Sequence, residues 1–110
     1  MKNVDSLLKT TLDKLGVPVE RLKYGGKADC FIVYQLVVGR SAFFSDDEEG
    51  AQEYTYQVHV YSKRDYLDLL QRLVAEVKTA GFHGITIDAE TYEQDTGYYH
   101  IPVEIKYMEV

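Results

Sequence analysis

The sequence has no tryptophan, two prolines, one cysteine and no long apolar run. A single cysteine, Cys30, cannot form an internal disulfide or a cysteine-only zinc site, and this indicates a reducing compartment. We interpret Cys30 as a small hydrophobic residue rather than a nucleophile. No segment reaches the roughly 18 apolar residues of a membrane span, and the charged N-terminus is not typical of a signal peptide. We therefore expect an intracellular protein that has no membrane partner.

The sequence also has no excess of positive charge. Its net charge of −6 argues against a general nucleic-acid-binding protein, which needs a basic surface to displace counterions. The charge is uneven, because residues 1–27 hold six basic against three acidic side chains, and residues 28–110 hold six against fifteen. Two interpretations are open: a chance distribution on a solvated surface, or oppositely charged surfaces that meet between neighbouring subunits.

The length and composition are those of one folded unit. With 110 residues, 45% of them hydrophobic and 27% charged, the chain can form a real core but only one, so we expect a single domain over residues 1–110.

The segment from Tyr54 to Phe82 determines how the rest of the chain is arranged. Between residues 54 and 61 two sets of side chains alternate, which predicts a half-buried strand. After Ser62 the apolar residues recur at intervals of three and four, which predicts an amphipathic helix. We expect Ser62 to cap this helix, Asp65 to lie in its first turn and Gly81 to end it. Such a unit needs further strands to complete a sheet.

The N-terminal region predicts a second helix. Its apolar stripe runs from Leu7 to Leu15, with Asn3 or Asp5 as the cap and Gly16 as the end. A short strand is expected around Val19 to Leu22, since the residue before a proline is pushed out of the helical region.

Three further strands complete the pattern. Phe31 to Val38 is the most apolar run and predicts a central strand that is buried on both faces. Residues 85–91 and 99–108 alternate, and Pro102 predicts that the last strand lies at an edge or contains a bulge. The fold class is therefore α+β, with a mainly antiparallel sheet of four to five strands and two helices packed on one face.

The segment between the two good strands, residues 40–53, is expected to be a long hairpin loop, and loops of this length are often functional or mobile. Its four consecutive carboxylates do not have the staggered spacing of a calcium loop, so a solvated acidic tip is expected rather than a metal site. Its two phenylalanines either present a partner surface or fold beneath the sheet. We take as candidate interface residues Phe43, Phe44, Asp46, Asp47, Glu48 and Glu49.

Residue patterns that support catalysis or metal binding are not found. His59, His83 and His100 form no pairing at metal-ligand spacing with each other or with Cys30, and no serine lies in a nucleophile elbow. The ten tyrosines suit interfaces, but they also suit strands. We expect no catalytic, cofactor-binding or metal-binding residues and no cofactor.

Five local stretches carry a resemblance to a known family. They are I-V-Y-Q at Ile32 to Gln35, the acidic run from Asp46 to Glu49, Q-V-H-V-Y-S-K at Gln57 to Lys63, A-G-F at Ala80 to Phe82, and D-T-G-Y-Y-H at Asp95 to His100. In this order and spacing, over about residues 18–108, the sequence resembles the tail-completion proteins of long-tailed bacteriophages and prophages, which are also described as tail terminators or tail-to-head-joining proteins. The acidic residue that is usual in the middle strand of that family is here His59.

The resemblance implies a structural protein without enzymatic activity. It implies an α+β subunit that forms a ring, typically a hexamer, at the head-proximal end of the tail tube, where it ends tube polymerisation and joins the tail to the head connector. The expected partners are other copies of the chain, the tail tube protein and a head-completion or connector protein. The expected location is the host bacterial cytoplasm during assembly and then the virion tail.

Two other classes stay open. One is a head-completion or neck protein of the same particle. The other is a small metal-dependent enzyme, which would need the histidines or Cys30 to converge in a pocket.

Overall fold

The computed structural model describes residues 1–41 and 50–110. The elements of this part are α1 (Lys2–Asp13), β1 (Val19–Arg21), β2 (Cys30–Ser41), β3 (Gln52–Ser62), α2 (Leu67–Thr79), β4 (His83–Ile87), β5 (Thr91–Glu93) and β6 (Tyr98–Glu109). The predicted α+β class is confirmed, with six strands where four to five were expected. Neither helix in the described ranges is long and apolar enough to cross a membrane.

The strands form one sheet in the order β1-β2-β3-β6-β4, and β5 also pairs with β6. All pairs are antiparallel except β1 with β2. As predicted, Phe31 to Val38 lies in an interior strand, β2, with β1 on one side and β3 on the other, although the predicted burial does not extend along its whole length. Only residues 30–34 of β2 are buried on both faces, and residues 37–41 are exposed. The reason is that β1 pairs only as far as Arg21 with Tyr34, so beyond this point β2 is itself an edge.

Both helices pack on the same face of the sheet, as predicted. The strand registers place Ile32, Val60 and Ile101 side by side on that face, and all three are fully buried. Against them α1 places Val4, Leu8 and Leu12, and α2 places Leu70, Leu73 and Val77. Each fully buried leucine or valine stabilises the fold by roughly 1.5–3 kcal/mol, so this layer holds the domain together.

The start of α2 differs from the prediction. Ser62 is the last residue of β3 and is fully buried, and its Oγ accepts a hydrogen bond from the Arg64 amide at 3.1 Å. The helix begins at Leu67, whose N–H donates to Asp65 Oδ1 at 3.0 Å. Ser62 stays in the strand and does not cap the helix, because it still pairs with both neighbouring strands, with Cys30 of β2 and with Tyr99 of β6.

A glycine with a positive φ lies just after each helix. After α2, Gly81 has a φ of +103°, and the Phe82 amide donates to Val77 O at 2.9 Å, which closes the helix as predicted. After α1 the chain turns through Gly16, with a φ of +77°. Neither Asn3 nor Asp5 caps α1, because the helix already begins at Lys2.

The prediction for Pro102 was an edge position or a bulge. The ladder between β4 and β6 contains a register shift, between His83 and Thr86, but Pro102 itself lies in an interior strand and not at an edge. It pairs with His59 of β3 on one side, and its carbonyl accepts the Asp88 amide at 2.8 Å on the other. The N and O of one strand residue point to the same side, so the missing N–H of Pro102 faces the break between β4 and β5. The predicted strand over residues 85–91 is interrupted there, between Ile87 and Thr91. No acceptor of a neighbouring strand therefore requires an N–H donor from Pro102 at this point.

Candidate assembly surfaces

The predicted interface residues lie on the connection between β2 and β3. These strands pair as far as Ser41 with Gln52. All six residues, Phe43, Phe44, Asp46, Asp47, Glu48 and Glu49, fall outside the described residues. Their role in an interface therefore stays a prediction. The described surfaces that can contact a partner are the sheet face away from the helices and the two sheet edges.

The sheet face opposite the helices carries a layer of aromatic rings. Phe31 stacks on Tyr24 at a centroid distance of 4.2 Å and on Tyr61 at 4.9 Å, and Tyr98 meets it edge-on at 5.2 Å. The Tyr98 hydroxyl donates to Ala28 O at 2.7 Å. These contacts hold the loop between β1 and β2 against the sheet, so the tyrosines here are largely engaged within the subunit.

Two histidines extend this layer. His59 Nδ1 lies 2.7 Å from His100 Nε2, and the His100 ring stacks on Tyr61 at 4.4 Å. Burial lowers the pKa of both imidazoles; the neighbouring His100 lowers that of His59 further, whereas Glu93 partly opposes the shift of His100. At neutral pH the pair is therefore uncharged, with one ring donating the shared hydrogen bond and the other accepting it.

The sequence analysis missed this pair, because the two residues are 41 positions apart. Only the register of β3 with β6, in which Tyr61 lies opposite His100, brings them together. The other two candidates lie elsewhere: His83 is exposed at the start of β4, and Cys30 is buried at the start of β2. Within residues 1–41 and 50–110 no group of three or more side chains is arranged to hold a metal ion.

One edge of the sheet is acidic. Residues 84–97, which include β4 and β5, contain four carboxylates and no lysine or arginine. Asp88 and Glu90 are exposed beside the N-terminal end of α2, where Glu90 accepts a hydrogen bond from the Tyr66 hydroxyl. This bond raises the pKa of Tyr66 to about 12.

An apolar groove lies along the same edge, between α2 and β4. Leu67, Leu70, Val74 and Ile87 line it, with Gln71 as the polar member. Leu67 and Ile87 leave 59% and 48% of their surface exposed. Two large apolar residues at a groove with an acidic rim are typical of a surface that receives a partner.

The opposite edge of the sheet carries an exposed apolar side chain in a strained conformation. Leu22, directly after β1, has a φ of +72° and is 61% exposed. The Lys23 amide donates to Arg21 O at 2.9 Å, which makes a γ-turn centred on Leu22. A non-glycine residue in this region costs about 1–2 kcal/mol. The turn is kept because the Leu22 amide donates to Tyr34 O at 2.9 Å and Arg21 Nε lies 3.1 Å from Asp5.

The uneven charge of the sequence thus has a spatial counterpart. Arg21 and Lys23 lie on and just after β1, together with Glu20, and the acidic run of residues 88–95 lies on and around β5, at the other side of the sheet. The two edges are separated by the width of the sheet, roughly 19 Å at about 4.8 Å per strand.

Comparison with known proteins identifies a fold relative but no family. No protein-family model matches the sequence, and no curated protein matches it. A protein chain in the virion of a native gene transfer agent (GTA) particle has a similar structure, with a TM-score of 0.54 and 13% sequence identity. The match covers 93% of this chain and 90% of that one. At this identity the likeness shows a shared fold alone, and it extends over nearly the whole of both chains.

Proposed function

We propose that this protein is a structural subunit of a phage-like particle. The observation that carries the proposal is the shared fold over 93% of the chain with a chain of a gene transfer agent virion. The resemblance to tail-completion proteins rests on the sequence alone, namely on local stretches and their order, and it points to the same class of particle.

Within that class we propose a tail-completion role. Copies of the chain form a ring on the head-proximal end of the tail tube, end its polymerisation and present a surface to the head connector. In this proposal the protein performs no reaction and needs no cofactor. Six copies is the number that the resemblance implies, and the tube protein and the connector are the further partners.

The two sheet edges support a ring in physical terms. A ring requires a heterologous contact, in which one patch meets a different patch on the next copy. The edge at β1, which carries Arg21 and Lys23, and the acidic edge at β4 and β5 are two such patches, on opposite sides of one sheet. Opposite charges favour their encounter and oppose contact between like edges.

Co-sedimentation with purified components tests the proposed position. The purified protein is mixed with tail tubes and, separately, with filled heads from the same particle, and each mixture is pelleted. We expect the protein to pellet with tubes that lack a cap and to prevent their further growth. Pelleting with heads alone would instead support the neck or head-completion alternative, and pelleting with neither would contradict both.

The acidic segment gives a second test. Replacing Asp46, Asp47, Glu48 and Glu49 together by serine is expected to weaken ring formation or tube binding while the melting temperature changes little. Unchanged assembly and tube binding would remove these four residues from the proposal. A matched replacement at the other acidic edge, Asp88 and Glu90 by serine, shows which of the two acidic regions matters.

A further inference from the structure

We propose that Leu22 of one copy inserts into the groove formed by Leu67, Leu70, Val74 and Ile87 of the next copy. This contact would join the β1 edge of one subunit to the β4 edge of its neighbour. The inference rests on the proposed ring, and it names the residues that would close it.

The first argument is the conformation of Leu22. Its left-handed backbone is unfavourable for a leucine, and asparagine or glycine would adopt the same turn more easily. The side chain gains little within the subunit, because 61% of its surface is exposed. A strained turn that presents an apolar side chain to solvent is explained when that side chain is buried in a contact outside the subunit.

The second argument is the shape and chemistry of the groove. Its lining is almost entirely aliphatic, and Leu67 and Ile87 stand exposed at it. A leucine side chain fits such a surface, since both sides of the contact lose apolar area to water. The groove lies at the opposite sheet edge from Leu22, so one copy cannot fill its own groove.

The third argument is charge. Leu22 stands between Arg21, which is paired with Asp5 of the same chain, and Lys23. Asp88 directly follows Ile87, and Glu90 lies two residues further on. The cation of Lys23 beside Leu22 therefore complements the carboxylates that follow the groove residue Ile87. This complementarity within one chain favours a second copy over a tube protein or a connector as the occupant.

A pair of blocking variants tests the contact. Leu22→Asp removes the apolar side chain but suits a left-handed position, and Leu67→Asp blocks the groove while placing an acid in the first turn of α2, where it is favourable. Each variant alone is expected to raise the concentration for half-assembly at least about tenfold. Circular dichroism and thermal melting confirm that each variant is folded. Thr10→Asp, at an exposed position on α1, adds the same charge and is expected to leave assembly unchanged.

The decisive measurement is the mixture of the two variants. The Leu22→Asp chain keeps an intact groove, and the Leu67→Asp chain keeps an intact Leu22. Mixed in equal amounts they share one working contact, so sedimentation velocity is expected to show a heterodimer that does not grow further, while each variant alone is monomeric. No other pairing of surfaces gives a dimer only in the mixture.

The possible outcomes distinguish a failure of the proposed Leu22 contact from a failure of the proposed ring. If the wild-type chain assembles and either variant assembles equally well, or if the mixture stays monomeric, this contact is refuted and the ring stands. If a variant keeps the ring but loses tube binding, the groove or Leu22 serves the tube and the contact between copies is refuted. A wild-type chain that is monomeric at every concentration overturns the ring and this contact together.

Discussion

Replacing Leu22 by glycine is expected to give a more stable isolated chain than replacing it by alanine, although both changes delete the leucine side chain. At φ +72° a Cβ is unfavourable by about 1–2 kcal/mol, and glycine removes that term. Glycine also gives the unfolded chain more freedom, which costs about 0.5–1 kcal/mol relative to alanine. Compared with Leu22→Ala, which lacks the same side chain but keeps the Cβ, Leu22→Gly should therefore be more stable by about 0.5–1 kcal/mol.

The assay is urea unfolding of both variants, followed by circular dichroism, with a thermal melt as a second measurement. Both substitutions are made in the Leu67→Asp background, because association would otherwise stabilise the folded state by mass action. For a domain of this size the expected difference corresponds to about 2–4 °C in the melting temperature.

The sign of the difference decides the result. At an ordinary exposed strand position alanine is the more stable residue, so the same pair at Arg40, which is exposed and pairs with Glu53 in the regular ladder of β2 and β3, should show the opposite order. If glycine is less stable than alanine at position 22, then the backbone there is not strained and the first argument for the Leu22 contact is lost.

Three further predictions concern the described fold. His59→Gln should reduce the loss of stability on going from about pH 7 to about pH 5, since burial lowers the pKa of His59, so its protonation as the pH falls favours the unfolded state. Gly81→Ala should destabilise the protein by about 1–3 kcal/mol, because its φ of +103° is a backbone conformation that a residue with a Cβ rarely adopts. Leu73→Ala should cost about 2–5 kcal/mol, since Leu73 is fully buried beneath α2.

Two of these predictions have a control of the same chemistry in the chain. Gly25→Ala meets no atom within 4 Å, and Leu67→Ala removes a side chain that is 59% exposed, so both should change the unfolding free energy far less than their partners. An equal effect within any pair would contradict the structural reason given for it.

The elements with the strongest periodicity were predictable from sequence. The alternation in β3 and β6 and the three-and-four spacing in α2 each reflect one buried face, and the structure buries that face in every case. The glycine that ends α2 was predictable for a local reason, since the turn requires a left-handed residue.

The errors arose where pairing across the sheet overrides a local preference. Ser62 is a good helix cap, but the ladder on both sides of β3 keeps it in the strand. Because Pro102 lacks an amide, an edge position or a bulge was expected, yet it is accommodated inside the sheet at a gap between two short strands.

The candidate surfaces were the hardest part to predict, because they depend on distant residues and on backbone conformation. The contact between His59 and His100 follows from a register, which no local pattern specifies. The strained turn at Leu22 was not predictable, because leucine is rarely found in that conformation. The charge asymmetry was visible in the sequence, but its division between two edges required the strand order.

The far part of β2 has a consequence for how the domain opens. Beyond Leu36 this strand is paired on one side only and its side chains are exposed, while β3 beside it remains held by β6 as far as Gln52 with Glu109. Residues 37–41 can therefore detach without disturbing the core, and their amides should exchange with solvent sooner than those of residues 30–34. The domain thus combines a layer that is buried from both sides with one strand end that can open by itself.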